Sequence, residues 1–476
     1  FILISATNAG GTTEKEIRID VFQLDVPTIS IADADKGFKV LQGSELTITP
    51  IVDSFLETSY SWQINGEDIS NELTCTLPTI ELGEYQVRFA THNEDGDDEV
   101  TFKVEVCSPD QVDFNWTFLQ TEYNMSAGRT IRIKPVDVNN ALDAVYTWTV
   151  DNEQVQSGEN DTYLFTSEQQ GEHTVKVEMK NSYILATQTL KVNVCPPAGT
   201  YQRKISATSS ASMNKVYEYL PAPGQFINEN HNTITMAEAC TYAEERINQT
   251  AYVSLGGFGG YIIVGFDHSI VNDGDYNIAI TGNAFDGSSE PGIVWVMQDE
   301  NGDGLPNDTW YELRGSEYGK AETWQDYAVT YHKPTGIQLP TPWTDNHGQS
   351  GSIDYLGAFH RQDYYYPAWV KEKQYTLRGT RLKERNYDQS GNGTYWVNDS
   401  YEWGYADNFS AIDRLTDDDN YNAGPSDNHF KISHAVTFDG KDANLKYVDF
   451  IKVQVGVNSK SGWLGEISTE VFGIKD

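Results

Sequence analysis

Apolar and polar residues alternate with a period of two along most of this chain, and one block of alternation returns three times before residue 196. FILISATNAGGTTEKEIRIDV from residue 1, YQVRFATHNEDGDDEVTFKVEV from residue 85 and HTVKVEMKNSYILATQTLKVNV from residue 173 each read as strand, polar turn and strand. Upstream the match continues. SYSWQING around Trp62 pairs with VYTWTVDN around Trp148, and LTITPIV around Pro50 pairs with IRIKPVD around Pro135. The offsets of about 85 to 88 residues define two full units and the tail of a third.

A unit of this length, built of short strands with one mid-domain Trp, predicts an immunoglobulin-like sandwich with that Trp in its core. Trp62 and Trp148 are therefore expected to be buried, not ligand-binding. The GEYQV and GEHTV stretches that lead into the strand pairs resemble PKD-like domains, and the resemblance covers residues 1 to about 196. It implies a spacer stalk.

From residue 202 the repeat stops. TMAEACTYAEERI carries a Thr235-x-x-Glu238 capping box before a helical pattern, which predicts one helix near 236–248. The other apolar runs read as strands: 261–267, 276–282, 292–298, 310–315, 327–332, 373–379, 448–457 and 466–474. The fold class expected is mainly β: tandem PKD/Ig-like β-sandwiches, then a larger jelly-roll-like β-sandwich with one short helix. The domain limits expected are 1–25 (the end of a truncated PKD-like domain), 26–108, 109–198 and 202–476. Glycines crowd LGGFGGYIIVGFD and SGWLGEISTEVFGI, where backbones are expected to approach closely. No GK[ST] or GxGxxG-plus-helix context makes either a phosphate loop.

Charge narrows the partners. A formal net charge of -37 argues against nucleic acid or an anionic membrane surface. No apolar run approaches the ~20 residues of a transmembrane helix. Of the four cysteines, Cys107 and Cys195 hold equivalent repeat positions, so they cannot pair within one domain. The chain opens at Phe1 inside a strand pattern, and a targeting and lipid-anchor segment is expected to precede it.

QDENGDGLPNDTW, residues 298–310, resembles half a calcium loop. Asp299, Asn301 and Asp303 alternate, Gly304 follows, and the Leu305 carbonyl offers a fourth oxygen. The EF-hand's final acid would fall on Trp310, and strands rather than helices flank the loop, so a sensor switch is excluded. Asp308 is the expected next ligand, with Asn307, Glu312 or Glu290 as further options. Structural calcium is the cofactor expected; an Asn/Asp/Gly-rich turn is the plain alternative.

Catalytic signatures are missing. There is no HExxH, GxSxG or CxxC, and the histidines are scattered without ligand spacing. Acidic pairs such as Glu290 with Asp299, or Glu402 with Asp407, are expected by chance in so acidic a chain, and the run Asp417 to Asp419 reads as a solvated loop. Eight of the eleven tryptophans lie beyond residue 202, and aromatic residues gather in polar loops there. Trp343, then Tyr364, Tyr365, Tyr366 and Trp369, then Tyr395, Trp396, Tyr401, Trp403 and Tyr405 are the candidate ligand-binding residues, because such rings suit large polar ligands with apolar faces.

The stretch SLGGFGGYIIVGFDHSI through GNAFDGSSEPGIVWVMQDENGDGLPNDTWYELRGSEYG, with the VDFIKVQVGV…GWLGEISTEVFGI ending, resembles the C-terminal domain of Bacteroidetes cell-surface lipoproteins carrying PKD-like repeats. The resemblance covers most of residues 251–330 and 445–474 and transfers no residue-level site. It implies a lipid-anchored, monomeric protein on the extracellular face of the outer membrane. Such a protein would capture a nutrient, specifically a corrinoid (vitamin B12), for an outer-membrane transporter. A carbohydrate-binding module, a glycan-active hydrolase and a purely adhesive module are the alternatives.

Overall fold

The computed structural model describes residues 1–19, 24–79, 81–108, 114–139, 141, 143–181, 184–229, 231–415 and 425–476; the run Asp417 to Asp419 lies outside them. The chain forms two compact units, Phe1–Ser108 and Pro109–Asp476. It is mainly β, with Met236–Asn248 the one α-helix among the described residues.

In the first unit the strands Ile2–Asn8 and Gly11–Ile17 pair antiparallel as a hairpin whose residues are all exposed. A sandwich follows. Its five-stranded sheet runs in the order Phe38–Leu41, Gly96–Cys107, Gly83–Asn93, Ser59–Ile64, Glu67–Ser70. Trp62 is fully buried against Phe89, 4.6 Å between ring centroids, and its indole N–H donates to the Glu72 carbonyl at 2.9 Å.

The second sandwich repeats that order with Glu122–Ser126, Leu185–Cys195, Gly171–Lys180, Val145–Val150 and Glu153–Gly158. In both, the first strand pairs parallel with the last and all other pairs are antiparallel. Trp148 is fully buried, as Trp62 is, so alternation and the repeat correctly placed both rings in cores. The four cysteines are free thiols.

The rest of the second unit is built on a six-stranded antiparallel sheet in the order Lys215–Leu220, Tyr261–Val271, Tyr447–Val455, Gly292–Met297, Trp310–Leu313, Ala435–Val436. A four-stranded sheet (Ser350–Ile353, Thr341–Asp345, Trp324–His332, Gln374–Arg381) shares its core through Val329, Tyr331 and Leu377. A three-stranded sheet (Ser426–Phe430, Ile278–Gly282, Gly473–Lys475) contributes Ile280, Phe430 and Ile474 to that core.

The helix begins where the capping box placed it, with Thr235 accepting from the Glu238 amide and Glu238 accepting from Thr235. The glycine expectation also holds. A Cβ on Gly256 would lie 2.1 Å from the Ala222 carbonyl oxygen, and one on Gly260 would lie 1.8 Å from that of Leu255. The predicted strand over 466–474 survives only as Glu470–Val471 and Gly473–Lys475. Upstream of Glu470 the backbone leaves the ladder, with Glu466 buried in the interior.

Candidate functional site

A cavity of about 350 Å³ opens in the C-terminal part of the second unit. Gln225, His360, Asn398 and Ser461 line its sides, and Glu290, Glu466 and Glu470 supply its acids. Phe359 and Trp463 also line it; they are 66% and 51% exposed, with ring centroids 6.4 Å apart. No Lys or Arg belongs to the lining.

Local chemistry explains each position. Trp463 sits on the short turn Gly462–Leu464, where Gly462 and Gly465 take φ values of 53° and 89° that suit glycine. Trp396 packs on Gly462 so closely that a Cβ there would come within 2.2 Å of its ring nitrogen. The turn is therefore pinned from below, and Trp463 is left facing outward. Gln225 ties the opposite wall to the turn: its side chain donates to the Leu464 carbonyl at 2.7 Å and its amide to Glu466 Oε1 at 2.7 Å. His360 Nδ1 stands 2.6 Å from Glu229 Oε1, which fixes the ring's orientation.

Beneath lies a knot of carboxylates. One oxygen each of Glu290, Asp407 and Glu470 come within 4.8 Å of one another. Backbone pairing brings them together. Gly292 and Ala406 exchange two backbone hydrogen bonds of 2.9 Å, and the Glu290 amide donates to the Asp407 carbonyl. Asp407 accepts three backbone amides, from Asn283 (2.7 Å), Ala284 (2.8 Å) and Glu470 (2.9 Å). Burial nevertheless raises its pKa. Glu290 is raised by burial and then by the Asp407 charge, and Glu470 by burial and then by Glu290. Burial pushes Glu466 up to about 8. Glu470 Oε1 and Glu466 Oε2 are buried without a hydrogen-bond partner.

The ten aromatic candidates do not assemble. Tyr365, Tyr366 and Trp369 are core residues, as are Tyr401 and Tyr405, and this corrects their assignment as ligand contacts. Their polar atoms are used internally: Tyr366 donates to the Glu372 carbonyl, Trp369 to that of Tyr219 and Tyr401 to that of Lys383, while the Tyr405 hydroxyl accepts the Glu317 amide. The YYYPAW segment is not a strand, so alternation does not apply and consecutive Tyr365 and Tyr366 both turn inward. Trp343 and Tyr364 are half-buried, and Tyr395 is exposed. Trp396 supports the cavity from behind. Trp403 lies 5.1 Å from the His434 ring in a separate cavity of about 290 Å³. Trp463 and Phe359, the two rings that line the acidic cavity in the open, were missed. The GWLG pattern, a Trp between two turn glycines, was the available signal.

The 298–310 loop is tightly self-bonded. Asp299 accepts the Gly302 and Gly304 amides at 2.7 and 3.0 Å, and Asn301 accepts the Asp303 amide. Asp303 accepts that of Leu305, a residue that is itself exposed. Asp308 accepts the Glu300 amide at 3.0 Å through Oδ2, while Oδ1 is buried and unpartnered and burial pushes the pKa up to about 8. Acidic oxygens around an orphaned carboxylate suit a hard cation. Among the described residues, however, the loop's aspartates do not converge as tightly as the Glu290 cluster.

A PKD-like domain family model matches residues 26–93 and 118–181. These segments lie within the two sandwiches. No curated protein matches the chain. Solved structures similar to it include the fibronectin(III)-like modules of Clostridium thermocellum CbhA (15% identity, 38% of this chain and 100% of that one, TM-score 0.20). Titin domains Z1Z2 in complex with telethonin match at 20% identity over 38% and 100%, TM-score 0.17. The N-terminal Ig1-2 module of the Drosophila receptor protein tyrosine phosphatase DLAR matches at 12% over 35% and 97%, TM-score 0.18. At these TM-scores the likeness decides nothing about how this chain is arranged. PKD-like sandwiches point to a binding or spacer role. Among the described residues no helix is long and apolar enough to cross a membrane.

Proposed function

We propose that this protein is a non-catalytic binding protein, in which PKD-like sandwiches act as a spacer and the C-terminal β-sandwich captures a polar nutrient. The observation that carries the reading is the acidic cavity lined by the exposed Phe359 and Trp463. Flat apolar rings beside polar walls match ligands that have both faces and hydroxyls. On this reading the protein is a lipid-anchored monomer on the extracellular face of an outer membrane and hands its ligand to a transporter. The Asp299, Asn301, Asp303, Leu305 and Asp308 loop then holds calcium as a structural clip, with no part in ligand chemistry.

A corrinoid and a glycan are the two ligands in view, and cavity size favours the second. At about 350 Å³ the space falls at the small end of ligand pockets, which run to roughly 1,000 Å³. A sugar ring enters such a space whole, whereas a corrinoid leaves most of its macrocycle outside. Titration of the chain with cyanocobalamin and with a glycan array tests the reading. Saturable binding that weakens in Trp463→Ala, by up to about tenfold, supports it. Turnover of a bound glycan replaces it with the hydrolase alternative, and no binding to either class refutes it.

A further inference from the structure

We infer that Glu290, Asp407 and Glu470 form a divalent-cation site at the floor of the acidic cavity, separate from the 298–310 loop. Three observations converge. The three carboxylates place one oxygen each within 4.8 Å of one another, the spacing of ligands around one hard cation. Glu470 is 4% exposed, its Oε1 has no hydrogen-bond partner, and it lines the cavity together with Glu290. Glu466 is 5% exposed and leaves Oε2 equally unpartnered in the same lining. An orphaned buried carboxylate oxygen is costly, and a cation would relieve two that face one cavity without Lys or Arg.

The donor set is all oxygen and all acidic, which selects Ca²⁺, Mn²⁺ or Mg²⁺ over softer metals. The backbone amides that Asp407 accepts orient its carboxylate, as hydrogen bonds around metal ligands do elsewhere. Gly282 leaves the room this needs, since a Cβ there would stand 2.5 Å from Asp407 Oδ1. Three carboxylates do not complete a calcium shell of 6–8 oxygens. The remaining positions are left to water and to the ligand that the cavity admits. Resting on the capture reading above, this specifies a ligand with adjacent oxygens, a vicinal diol or a carboxylate, that closes the coordination shell from the cavity Trp463 lines.

The test uses the metal alone, so it stands or falls independently of ligand capture. Calorimetric titration of the full chain with Ca²⁺ and with Mn²⁺ is compared among wild type, Glu470→Gln, Glu290→Gln and Asp308→Asn. One binding equivalent is expected to weaken by at least about tenfold in each Gln variant, since affinity follows ligand charge, and to persist in Asp308→Asn. Both Gln variants relieve repulsion between buried acids and are expected to keep the wild-type melting temperature in EDTA. Should either misfold, Tb³⁺ luminescence of the wild type reads the same site, because Trp463 lines the cavity above the cluster and is expected to sensitise the ion. That emission is expected to fall in Trp463→Leu. Wild-type protein that binds no cation, Gln variants that bind as wild type does, or Tb³⁺ emission indifferent to Trp463→Leu overturns the proposal.

Discussion

Arg129 Nε lies 3.4 Å from Glu300 Oε1, and this ion pair joins the second sandwich to the C-terminal sheets within one compact unit. The Glu300 side chain is 1% exposed and that of Arg129 19%. Around the pair, the Ser126 amide donates to Glu300 Oε2 at 3.2 Å, and Arg129 donates to the Ala443 carbonyl at 3.0 Å and to Gln298 Oε1 at 3.3 Å. Arg132 and Lys134 hold Asp326 at 2.9 and 2.7 Å, and Arg378 holds Asp137. The expected stalk and head are thus coupled by buried charge, and the loop proposed to hold calcium lies at that junction.

Arg129→Met leaves Glu300 buried and unpaired, which costs about 3–5 kcal/mol. Burial already raises the Glu300 pKa, with Arg129 opposing it. The loss should therefore be largest at neutral pH and shrink as pH falls and Glu300 takes a proton. Urea denaturation at pH 7.5 and pH 4.5 measures both, and Arg129→Met with Glu300→Gln should recover most of the loss.

His173 carries a pH signature in the second sandwich. Nδ1 is 2.7 Å from Asp151 Oδ2 and Nε2 is 3.0 Å from the Gln169 carbonyl, so both nitrogens face acceptors and the cation is favoured. Its pKa is raised from 6.5, chiefly by the Gln169 carbonyl. A raised histidine contributes stability that is complete below its unfolded pKa and is lost as pH rises through the folded one. Thermal melts from pH 5.5 to 8.5 should show that decline, and His173→Gln should flatten it.

Two tryptophans should separate binding from packing. Trp369→Ala empties a core position and should cost about 3–5 kcal/mol. Trp463→Ala should change stability by no more than about 0.5 kcal/mol yet weaken ligand binding up to about tenfold, the worth of one aromatic contact. Chemical denaturation and ligand titration of the same two variants check this.

Calcium in the loop predicts a concentration-dependent melt. With Kd about 10⁻⁴ to 10⁻³ M, 10 mM Ca²⁺ should stabilise the second unit by roughly 1.4–2.7 kcal/mol. Asp308→Asn should abolish that share of the response while leaving the Glu290 cluster's cation in place, as scanning calorimetry with EDTA controls would show.

Alternation of apolar residues, the Trp62 and Trp148 repeat and the Thr235–Glu238 box were legible in the sequence, because each depends on neighbours a few residues away or on a pattern written twice. The helix, four of the six strands of the main sheet and the close-packed glycines followed from the same local rules, while Lys215–Leu220 and Ala435–Val436 were not foreseen. The direction of a ring in a loop did not follow, since burial there depends on which distant strand closes over it. Tyr365 and Tyr366 turned inward under the sheets, and Trp463 was held out by two glycines and by Trp396 beneath. Nor could any spacing join Glu290, Asp407 and Glu470, which meet only because the Gly292–Ala406 bridge and the Glu470–Asp407 hydrogen bond fold three remote segments together. The repeat, its buried tryptophans, the helix and most main-sheet strands came from the sequence; the buried loop rings and the carboxylates that share a cavity were decided by long-range packing and backbone pairing.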